Sequence, residues 1–161
     1  MMVFGKERDY VVHDSKNIKG FFGDYRFLSN YHVCSVYFDG QAYGSSEAAY
    51  QAAKTEDTEL RRSFICFSPS DAKKMGKTII VRNGWNSMRY DVMSSIVFDK
   101  FYRNTDLREK LIATENKYLS EENHWGDIFW GICDGKGENN LGKILMGVRE
   151  FWKIKNKGKL F

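Results

Sequence analysis

The segment that most constrains the fold covers residues 45–54, which read Ser-Ser-Glu-Ala-Ala-Tyr-Gln-Ala-Ala-Lys. Either serine can cap the start of a helix, because its hydroxyl accepts hydrogen bonds from the N–H groups of the first turn. Glu47 then falls within that turn, where the positive end of the helix dipole favours a carboxylate. The four alanines are small, so other elements can approach closely. The sequence therefore predicts a closely packed helix that carries an acid at its start.

The polar residues of this helix share one face. Positions three, four and seven residues after Glu47 lie above it on a helix, which places Tyr50, Gln51 and Lys54 in one polar stripe. Such a stripe could form the wall of an active site. A solvated helix with an ordinary acid in its first turn would show the same pattern, so both interpretations remain open.

Turn and cap signals elsewhere predict a mainly α fold with a small β-hairpin element. Residues 33–38 and 41–43 flank Asp39-Gly40, a hairpin turn signal. Ser68-Pro69-Ser70-Asp71 is a typical helix start, and Gly76 ends that helix. Further helices are expected over 58–67, 86–103, 106–113 and 140–152, a β-prone segment over 79–82, and a strand or extended loop over 127–132. Leu141, Leu145, Val148 and Trp152 recur at helical spacing and should face the core.

The length and the charge indicate one compact domain without an extended nucleic-acid surface. The chain has 161 residues, which suits a single domain over 1–161, and no repeat or linker divides it. The net charge is +4, and the last nine residues hold four Lys and no acid. The remainder is therefore balanced, which does not predict a basic footprint for duplex nucleic acid. The basic tail over 153–161 could contact phosphates or be a solvated end.

The cysteines and histidines predict neither disulfides nor a metal site. The 3 Cys are scattered and odd in number, and the 3 His are far apart. A reduced, cytoplasmic setting follows as the expectation, since the first residues lack a signal peptide and no segment reaches transmembrane length. We expect no metal, no cofactor and no membrane partner, and the oligomeric state stays open.

Five separated motifs occur in an order that resembles the NADAR family, also described as YbiA-like N-glycosidases. They are Phe27-Leu28-Ser29-Asn30, the Ser-Glu helix, Arg-Asn-Gly-Trp-Asn around Trp85, Asp-Ile-Phe-Trp-Gly from Asp127, and the Gly-rich segment 135–142 with its helix. The resemblance runs over a core of about 21–152 and implies a helical fold and cleavage of an N-glycosidic bond. One departure is visible, because Ala48 stands where the family usually has a histidine after the helix Glu.

The chemistry that the resemblance implies requires two acidic or basic groups. An N-glycosidic bond breaks through an oxocarbenium-like state, which a carboxylate near the ribose carbon stabilises. A second group activates water or assists the departing base. Glu47 is the first candidate and Asp127 the second, although Asp127 could equally be a turn acid. Asp134 is a weaker alternative, since Asp-Gly more often marks a turn.

Aromatic and polar residues are candidates for substrate binding. Aromatic residues make up 16% of the chain, and Trp85 and Trp130 are the expected platforms for a flat ligand, although either could serve packing alone. The Gly-rich loop leads into a helix, and such a junction presents N–H groups to an anion. The remaining candidates for contacts with sugar, base or phosphate are Asn30, Tyr50, Lys54, Arg82, Gly135, Asn139 and Asn140.

Two classes of function fit these residues. The first is an N-glycosidase acting on an ADP-ribose-like or phosphoribosyl compound: ADP-ribosylated guanine in a nucleotide or in DNA, an NAD-derived metabolite, or a riboflavin-pathway intermediate. The second is a non-catalytic module that binds ADP-ribose or a nucleotide. A binding module has no need of Glu47 near the anomeric carbon, and a carboxylate near a diphosphate would weaken binding. The pair Glu47 and Asp127 therefore favours the enzyme.

Overall fold

The computed structural model describes residues 14–158, and these fall into two compact units. We call residues 30–105 the central unit, and residues 14–29 with 106–158 the terminal unit. Within the described residues, the strands are β1 (Asn17–Lys19), β2 (Val33–Phe38), β3 (Gln41–Ser45), β4 (Tyr118–Ser120), β5 (Glu122–Asn123) and β6 (Ile132–Cys133). The helices are α1 (Ser46–Ala53), α2 (Thr58–Ser63), α3 (Pro69–Gly76), α4 (Trp85–Arg103), α5 (Thr105–Ile112) and α6 (Asn140–Lys157).

The prediction of a mainly α fold with a small β element is confirmed. Helices dominate the described residues, and the strands form three separate two-stranded sheets. The extent of the domain, predicted to cover 1–161, stays a prediction. In the described part of the chain no helix is long and apolar enough to cross a membrane.

The central unit opens with the hairpin of β2 and β3. Phe38 pairs with Gln41, and the two residues between them, Asp39 and Gly40, have φ angles of 48° and 83°. Both angles lie in the left-handed region, which a two-residue hairpin turn requires and which Gly adopts without strain. The Asp-Gly signal therefore places the hairpin turn correctly.

Helix α1 is the core of the central unit. All eight of its residues are buried, and Ala48, Ala49 and Ala52 are completely inaccessible. The Ser45 hydroxyl accepts a hydrogen bond from the Ala48 N–H at 3.1 Å and so caps the helix, as one of the two predicted serines. The small side chains let α3, α4 and the hairpin pack directly against α1. The prediction of a closely packed helix is confirmed.

Two predicted elements of the central unit differ from the structure. Helix α2 ends at Ser63 and continues as a single 3₁₀ turn over Phe64–Cys66, so the predicted helix over 58–67 is too long. The predicted β segment over 79–82 forms no strand. Its Arg82 N–H donates to the Lys54 carbonyl, which follows a helix rather than a strand, and Ile80 is 92% exposed. β-prone side chains without a partner strand do not form a sheet.

The terminal unit is built around α6 and two parallel strand pairs. Strand β1 pairs with β4, β5 pairs with β6, and α6 packs against β4. The predicted inward positions of α6 are all buried: Leu141, Leu145, Val148 and Trp152. Arg108 of α5 lies over the Trp152 ring, with its guanidinium carbon 4.3 Å from the ring centroid. The 3.6-residue period of this helix therefore identified its core face.

Helix α6 extends further than predicted. It ends at Lys157 rather than at residue 152, so residues 153–157 of the predicted tail belong to the helix. Lys153 Nζ donates to Asn116 Oδ1 at 2.7 Å and forms an ion pair with Glu150 at 3.1 Å. The helix continues because Lys side chains are good helix formers and favour the C-terminal end of the dipole. Residues 159–161 lie outside the described residues.

Candidate active site

Glu47 is a buried carboxylate held by side chains of the central unit. It is only 5% exposed. Gln51 Nε2 donates to Glu47 Oε1 at 2.7 Å, and Lys73 Nζ of α3 lies 3.8 Å from the same oxygen. The Glu47 N–H donates to the carbonyl of Asn30 at 3.1 Å. The alternative of an acid on a solvated helix is wrong, because the whole of α1 is buried.

Two lysines give this carboxylate a positive environment. Burial lowers the pKa of Lys54, Lys73 lowers it further by repulsion, and Glu47 acts in the opposite direction. Lys54 Nζ lies 5.5 Å from the centroid of the Tyr50 ring. Lys73 was not among the predicted site residues. The only signal for Lys73 in the sequence was its position on the helix that begins after Ser68.

Tyr50 of α1 and Trp85 of α4 form an aromatic pair in the central unit. Their ring centroids are 5.2 Å apart with an interplanar angle of 53°. Trp85 is 7% exposed and begins α4, directly after Gly84 in the left-handed conformation. The structure thus gives Trp85 a packing role against Tyr50. Stacking of a ligand on either ring stays a prediction.

Arg82 and Asn30 each have one buried polar atom that makes no hydrogen bond to the described residues. Arg82 Nη2 binds Glu56 Oε1 at 3.1 Å, while its buried Nε has no hydrogen-bond partner among the described residues. Asn30 is 8% exposed, and its Nδ2 donates to Met93 Sδ at 3.5 Å. The Asn30 Oδ1 atom is buried and unpaired within the same residues. Buried polar atoms without a partner are uncommon in native proteins, and each is explained by a functional role or by an ordered water molecule.

The second predicted acid, Asp127, has a different environment in the terminal unit. Its Oδ1 accepts hydrogen bonds from the N–H groups of Phe129 at 3.2 Å and Trp130 at 2.9 Å. Asn123 holds the Asp127 backbone, with Oδ1 accepting its N–H at 3.0 Å and Nδ2 donating to its carbonyl at 2.8 Å. Asp127 therefore shapes its own loop, whatever else it does. Asn123 was missed, since nothing in its sequence context marks it.

Four N–H groups of the Gly-rich segment, around the start of α6, are bound to backbone carbonyls. The N–H groups of residues 138–141 donate to backbone carbonyls of residues 128–131, at distances from 2.8 to 3.3 Å. These four N–H groups are therefore already bound within the protein, and a phosphate contact of the segment 135–142 stays a prediction. The first N–H groups of a helix have no partner within the helix, and the carbonyls of a neighbouring loop can bind them as well as an anion can.

The predicted polar residues around this segment are also engaged. Asn139 precedes α6 with φ of 53° but makes no side-chain cap bond. Its Nδ2 donates to Tyr118 Oη and the Leu119 carbonyl, and its Oδ1 accepts from the Glu121 N–H. Asn140 Nδ2 donates to Glu138 Oε2 at 2.8 Å. Contacts of Asn139 and Asn140 with substrate stay predictions, and these bonds compete with them.

Gly135 and Trp130 are the more open members of the terminal set. Gly135 is exposed, with φ of 74°, in a turn that follows Asp134. Trp130 is half-buried, with its ring centroid 4.7 Å from that of Phe129 in an edge-to-face arrangement. In the part of the chain that the structure covers, no group of three or more His, Cys, Asp or Glu could hold a metal ion.

Comparisons with known proteins cover most of the chain. The NADAR domain family matches residues 14–153. A riboflavin biosynthesis protein of Vibrio vulnificus is 39% identical over 128 residues, which cover 77% of this chain but only 35% of that protein. The N-glycosidase YbiA of Escherichia coli is 34% identical over 131 residues, covering 79% of this chain and 81% of YbiA.

The fold is also similar to a solved structure. The NMR structure of the Escherichia coli protein YbiA aligns with a TM-score of 0.78 and 32% identity, over 92% of each chain. The family match covers most of the chain and includes the buried Glu47, the Tyr50–Trp85 pair and the Asp127 loop. This chain belongs to the NADAR family.

Proposed function

We propose that the protein is an N-glycosidase that hydrolyses the bond between a ribose carbon and a base nitrogen. The observation that supports this most is the buried carboxylate of Glu47, held by Gln51 and faced by Lys73. Relatives of similar length are named N-glycosidases, at 34% identity over most of this chain. A binding module gains nothing from a fixed, buried carboxylate of this kind.

In the proposed reaction, the ribose–nitrogen bond breaks and the bonding pair leaves with the base. Glu47 stabilises the positive charge that develops on the sugar carbon and ring oxygen. A water molecule adds its oxygen to that carbon, and one of its protons ends on the departing nitrogen. Asp127 is proposed as the second acid, which assists one of these proton transfers. The products are a ribose whose anomeric carbon carries a hydroxyl, and the free base, with the transferred proton on its nitrogen.

The lysines and the arginine of the central unit suggest a phosphorylated substrate. Lys54 and Lys73 bring positive charge close to Glu47, and Arg82 is joined to Lys54 through its backbone N–H, which donates to the Lys54 carbonyl at 2.7 Å. The Arg82 guanidinium pairs with Glu56, while its buried Nε lacks a partner among the described residues. We propose that Lys54 and Arg82 bind substrate phosphate, and that Asn30 and Tyr50 contact sugar or base. Since the pKa of Lys54 is lowered, its attraction for phosphate should weaken at a lower pH than that of an exposed lysine.

Three substrate classes remain within this proposal: an ADP-ribosylated guanine, in a nucleotide or in DNA, an NAD-derived metabolite, and a phosphoribosylamino-pyrimidine of the riboflavin pathway. A cytoplasmic site of action is part of the proposal, supported by the three free cysteines. The name of the Vibrio relative favours the third class, although this chain covers only 35% of that protein.

One experiment separates these possibilities. The purified protein is incubated with an ADP-ribosylated guanine nucleotide, NAD and a phosphoribosylamino-pyrimidine, and the products are identified by mass spectrometry. The proposal expects release of a free base and a ribose product from at least one compound, and its loss in Glu47→Gln. Tight binding without any product would contradict the proposal and indicate a nucleotide-binding module.

A further inference from the structure

We propose that Gln51 is a positioning residue for the Glu47 carboxylate, and that Gly76 is required because it leaves space for the Gln51 amide. The inference rests on the proposed function, in which Glu47 touches the reacting sugar. It gives a specific role to Gln51, which the sequence places only in a polar stripe, and to Gly76, which the sequence marks only as the end of a helix. The geometry that carries it links one turn of α1 to the last residue of α3.

Gln51 binds the carboxylate from the next turn of the same helix. Its Nε2 donates to Glu47 Oε1 at 2.7 Å, and Gln51 itself is completely buried. A short bond to a charged oxygen in a desolvated place is among the stronger hydrogen bonds of a protein. It restricts the rotation of the carboxylate more tightly than the ion pair with Lys73 does, since that lysine is 3.8 Å away and its side chain is half-exposed.

The carbonyl oxygen of the Gln51 amide indicates that this arrangement does not give the highest stability. The buried Oε1 atom has no hydrogen-bond partner among the described residues. An unpaired buried acceptor lowers stability, and native structures contain few of them. Turning the amide over would place its oxygen against the Glu47 oxygen, so a carboxylate at position 47, which the proposed function requires, dictates the orientation. The hydrogen bond from Gln51 Nε2 to Glu47 therefore leaves Gln51 Oε1 without a partner.

Gly76 makes room for this amide. A Cβ atom at position 76 would lie 1.8 Å from Gln51 Oε1 and 2.6 Å from Gln51 Cδ. Gly76 is the last residue of α3, and an ordinary helical backbone tolerates alanine there. The need for glycine therefore comes from the neighbouring amide and not from the backbone. Alanine at this position must displace Gln51 from Glu47.

The test combines kinetics with thermal melting on the full chain. Gln51→Leu keeps the volume and removes both the orphan oxygen, whose loss raises stability, and the donor to Glu47, whose loss lowers it, so the variant should remain folded with a modest change in melting temperature. Its kcat should fall about 100-fold, because a misplaced reacting group costs about that factor, while KM changes little. A parental kcat in this folded variant would overturn the positioning role.

A double-mutant cycle tests the part played by Gly76. Gly76→Ala should lower the melting temperature by about 3–10 °C, the expected range for overpacking in a chain of this size. In the Gln51→Ala background the same methyl enters vacated space, so it should lower neither the melting temperature nor kcat any further. The matched control is Gly147→Ala, another helical glycine whose added Cβ meets nothing within 4 Å. Additive effects of Gly76→Ala in both backgrounds would contradict the proposal.

A readout without substrate separates this inference from the proposed function. In ¹⁵N-labelled protein, the Gln51 side-chain NH₂ signals should move in Gly76→Ala and in Glu47→Gln, and stay in place in Gly147→Ala. Unmoved signals in the first two variants would overturn the contact itself. If the signals move but the parent cleaves none of the three substrates, the contact stands and the proposed function fails, and with it the catalytic purpose of the contact.

Discussion

The two candidate acids occupy environments that differ in what their oxygens bind. Glu47 of the central unit is buried and receives a side-chain donor from Gln51, with Lys73 beside it. Asp127 of the terminal unit is half-buried, and its Oδ1 receives the backbone N–H groups of Phe129 and Trp130. An acid held by side chains is positioned by the fold, whereas an acid that binds its own backbone also determines the local fold. The two should therefore respond differently to removal of charge and to removal of the whole side chain.

The largest effect is expected from removing the charge of Glu47. Glu47→Gln keeps the size and the helix but loses the negative charge that stabilises the developing oxocarbenium. The rate should fall about 100- to 1,000-fold, the usual cost of losing one preorganised electrostatic contact. Single-turnover kinetics on a cleaved substrate measures this, with circular dichroism as the control for folding. A near-parental rate would remove Glu47 from the mechanism.

The next effect distinguishes two roles for Asp127. Asp127→Asn retains an oxygen for the N–H groups of Phe129 and Trp130, so melting should change little, while kcat falls about 100-fold if the charge is needed. Asp127→Ala should in addition lower the free energy of unfolding by about 1 kcal/mol, through loss of the capped turn. Full activity in the Asn variant with losses only in the Ala variant would make Asp127 purely structural.

The two tryptophans should differ in a similar manner. Each change to alanine should weaken ligand binding by about 1–3 kcal/mol if the ring stacks on a base. Trp85 is 7% exposed and packs on Tyr50, so its removal should also lower the melting temperature by several degrees, whereas the half-buried Trp130 should cost less. Calorimetric titration with melting curves separates the two contributions. Lower stability with unchanged affinity would assign the residue to packing alone.

A small effect is expected from the basic end of α6. Lys155 and Lys157 are exposed on the last turn, so Lys155→Gln with Lys157→Gln should leave the rate on a mononucleotide within about twofold of the parent. The same pair is compared on a modified oligonucleotide at several salt concentrations. Equal salt dependence of parent and variant argues against phosphate contacts, and a shallower dependence in the variant indicates that DNA is bound there.

No effect is expected from a strong chelator. The proposed chemistry needs a carboxylate, a water molecule and a departing base, and no cluster of ligating side chains is present among residues 14–158. Rates before and after dialysis against the chelator measure this. Activity that is lost and then restored by one divalent ion would contradict it, and would indicate a metal shared by protein and substrate phosphate.

The sequence predicted the local structure well wherever a single residue type decides it. Ser45 as a cap, Asp39-Gly40 as a turn and the inward face of α6 all follow from hydrogen-bond capacity, left-handed backbone or 3.6-residue spacing. Where the outcome depends on a distant partner, the local pattern was not sufficient. Among the described residues, 79–82 have no partner strand and form no strand of their own. The start of α6 is bound by residues 128–131, which no local pattern reveals.

The candidate site shows the same difference between features set by local sequence and features set by tertiary contacts. The sequence by itself determined that Glu47 lies in the first turn of a helix of small residues, because cap and spacing are local properties. Only the tertiary structure decided that this helix is buried, that Gln51 donates to the carboxylate, and that Lys73 and Gly76 approach it from α3. The physical reason is that burial and desolvation come from elements distant in the chain, whereas capping and periodicity are set within one turn.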